Sequence, residues 1–467
     1  MRTPVLATCF LVFLAMVPQV LQAADPYSAV NSMDDDNIFW FVLMSDIHIG
    51  ASDGNGGENL EWMLTEARDV ISPSFIVAAG DLTDSTNWSE SGYPDGPHLE
   101  EWQTYRAIVD GSGVTADRYY DLPGNHDHFG DRDFEYYLGY SLQGAATGQT
   151  QVSWTRTFEF GKYHFLGINT CGNDGADFSM LPPTYGDNAG LDAAELAFIE
   201  QSLEGNQEAD MTLVFGHHLL FKREVDWEDL TAEELEKPTM TALGYGAGRF
   251  VELLDHYGAV MYGYGHTHTD IEEFLIKGMS NGVIYLNTAS LTKSDQHQYN
   301  IVAIDNNGIS TVSMDLRSWP AVLITAPLDR NLGMPNNPYT SGIPDTTGDS
   351  TPIRALVFDR NPVAVVEYTM YRVPKGSGQL VEGAVSDVVL HVEEAAIWKS
   401  MTRVSADHPM YPYLWEADCT NPLGGGAYTL AVRARGSGTR IDRVPTAFPA
   451  VPVSDSGCFI GVLAGSL

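Results

Sequence analysis

The stretch "IFWFVLMSDIHIG", residues 38–50, shows a pattern that recurs along the chain, an apolar run followed by polar residues. Residues 38–45 are almost entirely apolar and rich in aromatic and β-branched side chains, which predicts a buried strand. The next residues differ in kind, because Asp46 and His48 are polar and carry groups that bind metal ions. Alone, such a cluster is more typical of a helix cap or a turn than of a functional site, but the same arrangement recurs along the chain.

From residue 37 onward, apolar β-rich runs alternate with amphipathic stretches. The runs predict strands at 38–45, 74–80, 117–123, 163–170, 211–216, 259–265 and 283–290. The amphipathic periods predict helices at 58–71, 98–110, 191–204 and 248–257. This alternation is typical of an α/β domain whose helices cover a largely buried sheet. Residues 298–317 close the domain as a hairpin with an Asn-Asn-Gly turn.

Five of these predicted strands are followed at once by acidic, amide or imidazole side chains. The five clusters read "SDIH", "GDLTD", "GNHDH", "GHH" and "GHTH". In open α/β sheets, ligands bind beyond the carboxyl ends of the strands, so these side chains are expected along one rim. The acidic, amide and imidazole residues of the clusters are Asp46, His48, Asp81, Asp84, Asn125, His126, Asp127, His128, His217, His218, His266 and His268.

These residue types suit divalent first-row metals such as Mn, Fe or Zn. Even seven of these oxygen and nitrogen donors are more than one ion binds from protein while it keeps an open position. The clusters therefore favour two ions with a shared carboxylate. A single His-x-His pair such as His266 and His268 is more typical of a solvated loop than of a metal site. Five clusters in order, each behind an apolar run, favour function.

The five clusters resemble the calcineurin-like metallophosphoesterase superfamily, whose pattern is DxH, GDxxD, GNHD, H and GHxH. The resemblance covers residues 37–317 and implies a four-layer αββα sandwich, two packed sheets flanked by helices. It implies two metal ions, of Mn, Fe or Zn. By this resemblance, the first ion is held by Asp46, His48 and His268, the second by Asn125, His217 and His266, and Asp81 bridges both.

The same resemblance implies that His126 is the catalytic histidine, an imidazolium near the leaving oxygen that is positioned by Asp127. His218 is the alternative to His217 as a ligand. Carboxylates such as Asp84 and Asp127 are expected to orient the ligand rings. Purple acid phosphatases replace the DxH histidine and place a tyrosine three residues after the bridging aspartate. This chain has His48 and Asp84 at those positions and does not resemble that branch.

The expected function is that of a secreted dinuclear-metal phosphoester hydrolase, a phosphodiesterase or phosphomonoesterase, with a metal-bridging hydroxide as nucleophile and a small phosphoester as substrate. The alternative is a catalytically weak metal-binding module with a β-sandwich binding tail. Lys222 and Arg223 form a basic pair near the rim and are candidates for contact with phosphate. Aromatic side chains in long insertions fit either the wall of an ester pocket or packed loops: Trp88, Tyr93, Tyr185, Trp227 and Tyr245.

The N-terminal residues 1–23 have one early arginine, an apolar run and small residues near Ala23, which predicts a secretory signal peptide. No later segment reaches 18 apolar residues, so we expect no membrane span after cleavage and an extracytoplasmic location, lumenal and periplasmic included. In an oxidising compartment a Cys419–Cys458 disulfide is plausible, and the alternative of free thiols stays open. Asn87 begins an N-glycosylation sequon.

Charge divides the chain near residue 318. Residues 1–317 hold 14 Lys and Arg against 48 Asp and Glu, whereas residues 318–467 hold 11 against 14. The acidic part repels polyanions, so nucleic acid is an unlikely partner.

Short β-like runs without a helical period predict that residues 318–467 form a C-terminal β-sandwich of immunoglobulin-like type. Its Trp398 and Trp415 fit either core packing or surface binding. Its form resembles the branch of the superfamily named after transmembrane protein 62.

Overall fold

The computed structural model describes residues 37–52, 55–86, 96–172, 189–220, 243, 245–268, 283–293, 297–329, 350–371, 396–408, 410–420 and 426–448. Several predicted features lie outside these residues, namely the signal peptide, the Asn87 sequon, Cys458, the basic pair Lys222 and Arg223, and the aromatic residues Trp88, Tyr93, Tyr185 and Trp227.

A mixed five-stranded sheet carries the first three clusters of the rim. In spatial order its strands are β10 (Gly308–Asp315), β9 (Gln298–Asp305), β1 (Ile38–Met44), β2 (Ile76–Ala79) and β3 (Tyr119–Leu122). β1, β2 and β3 run parallel, so their carboxyl ends lie at one edge. β9 and β10 form the predicted hairpin, with Asn306 and Asn307 at φ values of 49° and 62° in its turn.

A second mixed five-stranded sheet carries the last two clusters. Its strands are, in spatial order, β4 (Val152–Phe158), β5 (Gly161–Gly167), β6 (Met211–Phe215), β7 (Met261–Tyr264) and β8 (Ile284–Asn287). β5 to β8 run parallel, whereas β4 is antiparallel to β5. The sequence pattern did not predict β4, because only Trp154 of this edge strand is buried.

Helices cover the outer faces of the two sheets. The first sheet is covered by α1 (Gly56–Trp62), the π-helical turn Met63–Ala67, α2 (Arg68–Ile71) and α3 (Leu99–Ser112), and the second by α7 (Ala193–Glu204) and α8 (Ala247–Tyr257). Three short helices follow β3: α4 (Asn125–His128), α5 (Glu135–Tyr140) and α6 (Leu142–Thr147). The expected α/β fold with helices over buried sheets is present.

β1 explains why the opening stretch is apolar throughout. Its side chains alternate between two cores, so every one of its seven residues is buried. Phe39, Phe41 and Leu43 pack between the two sheets. Trp40 and Met44 point to the opposite face, into the core shared with the helices. A strand covered on both faces leaves no position for a polar residue until it ends.

Two four-stranded antiparallel sheets make up the C-terminal part. The first has the order β11 (Ala321–Ala326), β12 (Ser350–Phe358), β16 (Leu414–Thr420) and β15 (Thr402–Arg403). The second has the order β14 (Lys399–Ser400), β13 (Val365–Tyr371), β17 (Gly426–Arg435) and β18 (Thr439–Phe448). An apolar core lies between them and includes Trp415, which is 6% exposed and therefore serves packing.

The C-terminal sheets pack against the outer, helical face of the first sheet. Trp40 of β1 contacts Phe358 and Tyr413, with ring centroids 5.4 and 5.5 Å apart. The Tyr413 hydroxyl bonds to the Ser72 hydroxyl at 3.0 Å. This contact lies on the side of the first sheet away from the second. Within the described residues, no helix has the length and apolar character of a membrane span.

Candidate metal centre

The carboxyl ends of five strands deliver the predicted ligands to one buried site. Asp46 and His48 follow β1, Asp81 follows β2 and Asn125 opens α4 directly after β3. His217 follows β6, and the last pair follows β7. Their burial is nearly complete on the strand ends of the first sheet, since Asp46, His48 and Asp81 are 0% exposed and Asn125 is 4% exposed. The site therefore joins the ends of both sheets.

Three of the predicted ligands form a first group. His268 Nε2 lies 3.1 Å from Asp46 Oδ1 and 3.1 Å from His48 Nε2. His48 Nε2 lies 3.8 Å from Asp46 Oδ1. These three residues are the ones that the resemblance assigns to the first ion.

Three more form a second group around His217. Its Nε2 lies 3.0 Å from Asn125 Oδ1 and 3.2 Å from His266 Nδ1. Asp81 Oδ2 stands between the groups, 3.6 Å from His48 Nε2 and 3.2 Å from His217 Nε2. The structure thus brings together all seven predicted donors, with Asp81 in the shared position, and their role as ligands stays a prediction.

The backbone at this site adopts conformations that non-glycine residues usually avoid. Five of the seven predicted ligands have φ between 48° and 72°, in the left-handed region, namely Asp46, His48, Asp81, His266 and His268. Each such residue typically costs about 1–3 kcal/mol unless local hydrogen bonds compensate, and such strain concentrates at functional sites. The chain holds these side chains inward against its local preference.

The proton positions fit metal binding. The Nδ1 of His217 lies 2.8 Å from the Ala79 carbonyl oxygen, which can only accept, so Nδ1 carries the proton. The Nδ1 of His48 likewise faces the Asp84 carboxylate at 3.1 Å. In the neutral rings both Nε2 atoms are then left with lone pairs directed into the cluster, as ligation requires.

The distances fit as well. Two donors bound to one ion at about 2.1 Å stand about 3.0–3.4 Å apart, the range of the closest contacts in both groups. Burial opposes charge on the Asp81 carboxyl, yet His217 and His126 outweigh it and hold its pKa well below the usual value. Burial also lowers the pKa of His217, but Asp81 raises it to about 9, so the carboxylates attract positive charge to this ring. The groups of His and Asp side chains here can bind metal ions.

A sequence model described as calcineurin-like phosphoesterase matches residues 39–270. Residues 39–270 belong to the calcineurin-like phosphoesterase family. We refer to these residues as the phosphoesterase region; all seven predicted ligands lie within it. The resemblance that the five clusters predicted is confirmed by this match.

Two curated relatives extend the similarity beyond the phosphoesterase region. Transmembrane protein 62 of Mus musculus is 25% identical over 361 residues, which are 75% of this chain and 50% of the relative. A "Putative metallophosphoesterase" of Arabidopsis thaliana is 22% identical over 408 residues, which are 75% of this chain and 51% of the relative. The chain spans about half the length of these curated relatives.

Solved structures align with the chain at a TM-score of 0.35. One is a purple acid phosphatase from seeds of yellow lupin (Lupinus luteus), 14% identical, with 60% of this chain and 52% of that chain covered. Another is GAP50, "the anchor in the inner membrane complex of Plasmodium", 12% identical, with 60% of this chain and 85% of that chain covered.

One expectation about His126 in the phosphoesterase region is wrong. Asp127 does not position it, because that carboxylate accepts hydrogen bonds from the backbone N–H groups of Leu82, Thr83 and Gly124. His126 Nδ1 bonds instead to the Asp84 carbonyl oxygen. Burial lowers the pKa of His126 to about 3, which favours the neutral ring, and its role as an imidazolium stays a prediction.

The expectation that Asp84 orients a ligand ring agrees with the geometry, since it faces His48 Nδ1. Asp127 has another task. It ties the start of α4 to the loop after β2, and burial together with the charge of Asp81 raises its pKa to about 7. The two loops that bear Asp81 and Asn125 are thereby fixed relative to each other.

Lys293 is a site residue that sequence reasoning missed. Its ammonium group forms an ion pair with Asp84, and its side chain is 13% exposed. The Ser290 hydroxyl fixes the loop, because it accepts from the Lys293 N–H at 2.7 Å and donates to the Asp46 carbonyl at 3.0 Å. No pattern marks this lysine, since it follows the end of β8 by six residues and its partner is over two hundred residues away.

Tyr245, the one described member of the loop aromatics, is half-buried. Its carbonyl accepts a hydrogen bond from the Leu191 N–H at 2.8 Å. This backbone contact ties its loop to the start of the segment that leads into α7.

Proposed function

We propose that this protein is a phosphoester hydrolase that works with two divalent cations. The observation that carries the proposal is the position of Asp81 Oδ2, within 3.6 Å of His48 Nε2 and 3.2 Å of His217 Nε2. One carboxylate shared between two groups of oxygen and nitrogen donors suits a pair of ions. Membership in the calcineurin-like phosphoesterase family supports the same reaction class.

In this proposal, Asp46, His48 and His268 hold one cation, Asn125, His217 and His266 hold the other, and Asp81 contacts both. When bound, such a pair supplies an activated water and neutralises charge on the phosphoryl oxygens. Contacts with Ala79 and Asp84 place the proton of each neutral ring on Nδ1 and leave Nε2 for the cation. The buried, rigid setting gives the donors a fixed orientation before substrate arrives.

His126 is the proposed catalytic side chain. Its Nδ1 is engaged with the Asp84 carbonyl, so Nε2 is the nitrogen available to the leaving oxygen. Nε2 lies 4.0 Å from Asp81 Oδ2, close to the shared position. A neutral ring of this kind acts as an acid only after it takes up a proton, which an anionic phosphoester beside it favours.

Nitrophenyl monoesters and diesters test the proposal, assayed with Mn²⁺ or Zn²⁺ and after chelation. We expect hydrolysis that chelation abolishes and added metal restores. Asp81→Asn should lose turnover and metal, whereas His126→Ala should lose about 10²-fold in rate and keep its metal content. His256→Ala, on the exposed face of α8, is the control and should change neither.

Two results count against the proposal. If Asp81→Asn turned over substrate at the wild-type rate, Asp81 could not be the ligand that both cations share. Metal-loaded protein that hydrolyses neither ester would favour the metal-binding module with a β-sandwich binding tail.

We also propose that a phosphoesterase domain, residues 37–317, and an immunoglobulin-like domain, residues 318–467, follow a signal peptide at 1–23 and that the protein is secreted. The strand orders β11-β12-β16-β15 and β14-β13-β17-β18 support the second domain, since they correspond to orders A-B-E-D and C′-C-F-G. N-terminal sequencing of protein recovered outside the cytoplasm tests the first point. A sequence that still begins at Met1 would contradict it.

A further inference from the structure

His218, beside the predicted ligand His217, belongs to the same cluster. One ring nitrogen each of His217, His218 and His266 lies within 4.8 Å of the others. The ring centroid of His218 is 4.5 Å from that of His266 and 5.0 Å from that of His217. Its side chain is fully buried. A polar ring in this position can bind a cation or bind something that the cations hold.

The two adjacent histidines differ in the partner of Nδ1. For His217 that partner is the Ala79 carbonyl oxygen, which leaves a lone pair on Nε2. For His218 it is the Thr170 hydroxyl, with 2.8 Å between Nδ1 and Oγ1. A hydroxyl can donate as well as accept, so its other bonds decide which nitrogen of His218 carries the proton.

The other bonds of Thr170 use its lone pairs. Its Oγ1 accepts from the backbone N–H of His217 at 3.3 Å and from that of His218 at 3.2 Å. A hydroxyl has two lone pairs and one proton, so the proton is directed at His218 Nδ1. In the neutral ring, Nε2 then carries the hydrogen. Among the described residues this buried Nε2 has no hydrogen-bond partner.

We propose that His218 is a hydrogen-bond donor to an oxyanion at the metal centre and that it is not a metal ligand. The donor is Nε2–H, and the acceptor is an oxygen of phosphate or of the phosphoryl group of a substrate held beside His217 and His266. This inference rests on the proposed function, because it takes the cations and the phosphoester as given. It assigns His217 and His218, adjacent in sequence, to opposite chemical roles.

The backbone of this segment supports a positioning role for Thr170. The Tyr262 hydroxyl donates to the His218 carbonyl at 2.7 Å, so the residue is also fixed on its other side. One hydroxyl therefore sets the proton of His218 and the backbone of both histidines. Thr170→Ser keeps that hydroxyl and Thr170→Val removes it at nearly constant volume.

The test measures binding of inorganic phosphate and of Mn²⁺ by calorimetry on the full-length chain. For His218→Phe we expect unchanged stoichiometry and affinity for Mn²⁺, with phosphate bound about 10–100-fold more weakly to the metal-loaded protein, the usual loss of a bond to a charged acceptor. Thr170→Val should weaken phosphate binding in the same direction, and Thr170→Ser should match the wild type.

Loss of Mn²⁺ by His218→Phe would show that His218 is a ligand. Unchanged phosphate binding would show that His218 only packs and donates no hydrogen bond to phosphate. If His218→Phe does not fold, His218→Gln takes its place. The glutamine amide N–H can still donate, so phosphate binding should fall by less than tenfold. A Gln variant that loses Mn²⁺ would also overturn the proposal.

Nitrogen-15 NMR of histidine-labelled protein with Zn²⁺ gives a second readout that a packing role does not move. We expect His217 protonated at Nδ1 and His218 protonated at Nε2, and the reverse at His218 would contradict the proposal. None of these measurements uses turnover. A failure to hydrolyse any ester would therefore contradict the proposed function. This inference is decided instead by phosphate affinity, Mn²⁺ affinity and the nitrogen that carries the proton in each histidine.

Discussion

The candidate metal centre and the C-terminal sheets differ in the physical cost of their structures. At the candidate metal centre, charged and imidazole groups lie close together, with Asp46, His48, Asp81 and His217 fully buried, and five of the predicted ligands have left-handed backbone conformations. The C-terminal sheets pair in regular antiparallel ladders around an apolar core, as β17 and β18 do over ten residue pairs. The first region accepts unfavourable burial and strain to aim its donors, whereas the second follows from hydrophobic burial.

The difference teaches where each part is vulnerable. A site whose atoms are fixed by close backbone approach should fail catalytically when one atom is added, with the fold largely kept. A sandwich held by burial should lose stability in proportion to the apolar volume removed and keep the chemistry elsewhere unchanged.

Gly124→Ala should have the largest effect. A Cβ at this position would stand 2.3 Å from Asp81 Oδ1 and 2.4 Å from the Asp81 backbone nitrogen, and the latter cannot rotate away. We expect the loops that bear Asp81 and Asn125 to separate, with a loss of turnover of about 10³-fold, or about 4 kcal/mol of activation free energy. Steady-state kinetics and metal content measure it.

Gly139→Ala is the matched control, since Gly139 is an exposed position of α5 where an added Cβ meets nothing within 4 Å. Turnover by Gly139→Ala should equal that of the wild type. If Gly124→Ala is equally active, close packing at the centre does not set the ligand geometry.

Leu430→Ala addresses the other region. Leu430 is fully buried between the C-terminal sheets, and its truncation should lower the free energy of unfolding by about 3 kcal/mol. The turnover of folded molecules should not change. Denaturant titration and an assay below the transition measure both quantities.

Ile397→Ala, at a position 84% exposed, is the control and should leave stability within about 0.5 kcal/mol. A fall in turnover for Leu430→Ala would break the comparison. It would mean that contacts such as that of Trp40 with Phe358 couple the sandwich to the metal centre.

Sequence patterns predicted those parts of the molecule whose causes are local. β1 is buried on both faces, and its sequence is an apolar run. The amphipathic periods predicted every end of α3, α7 and α8 to within two residues. The sequence did not predict β4, because a strand with one buried residue shows no apolar run and no alternation. The five clusters could be found because each directly follows a strand, and the topology then brings them together.

The roles of other site residues depend on contacts distant in sequence. Asp127 stands next to His126 along the chain and was expected to position it, yet the start of α4 directs it to the loop after β2. The Thr170 hydroxyl that distinguishes His218 from His217 lies 47 and 48 residues from their backbone N–H groups. No spacing rule reveals such partners.

Lys293→Ala tests whether a buried charge outside the seven donors supports the centre. Without its ammonium group, Asp84 keeps His48 but loses its cationic partner, and the ring of His48 is held less firmly. We expect a loss of turnover of about 30-fold, or about 2 kcal/mol, with weaker Mn²⁺ binding. Lys293→Arg should recover most of both, because it restores the charge. Equal losses in the two variants would point to packing alone.

Glu195→Gln concerns stability rather than chemistry. Glu195 accepts a hydrogen bond from the Asn169 N–H at 3.0 Å, and burial raises its pKa to about 8. Between its unfolded pKa, near 4.3, and 8, the folded state binds a proton that the unfolded state has released. Stability should therefore fall as pH rises, by about 1.4 kcal/mol for each pH unit between 6 and 7.5.

Glutamine accepts the same hydrogen bond and does not titrate, so the variant should lack this slope and be the more stable protein near pH 8. Thermal unfolding of both proteins at pH 6, 7 and 8 gives the comparison. Parallel curves would show that Glu195 is ionised in the folded state. The segment from Asn169 to Thr170 would then be held by a charged carboxylate, and buried charge near the metal centre would extend beyond the donors themselves.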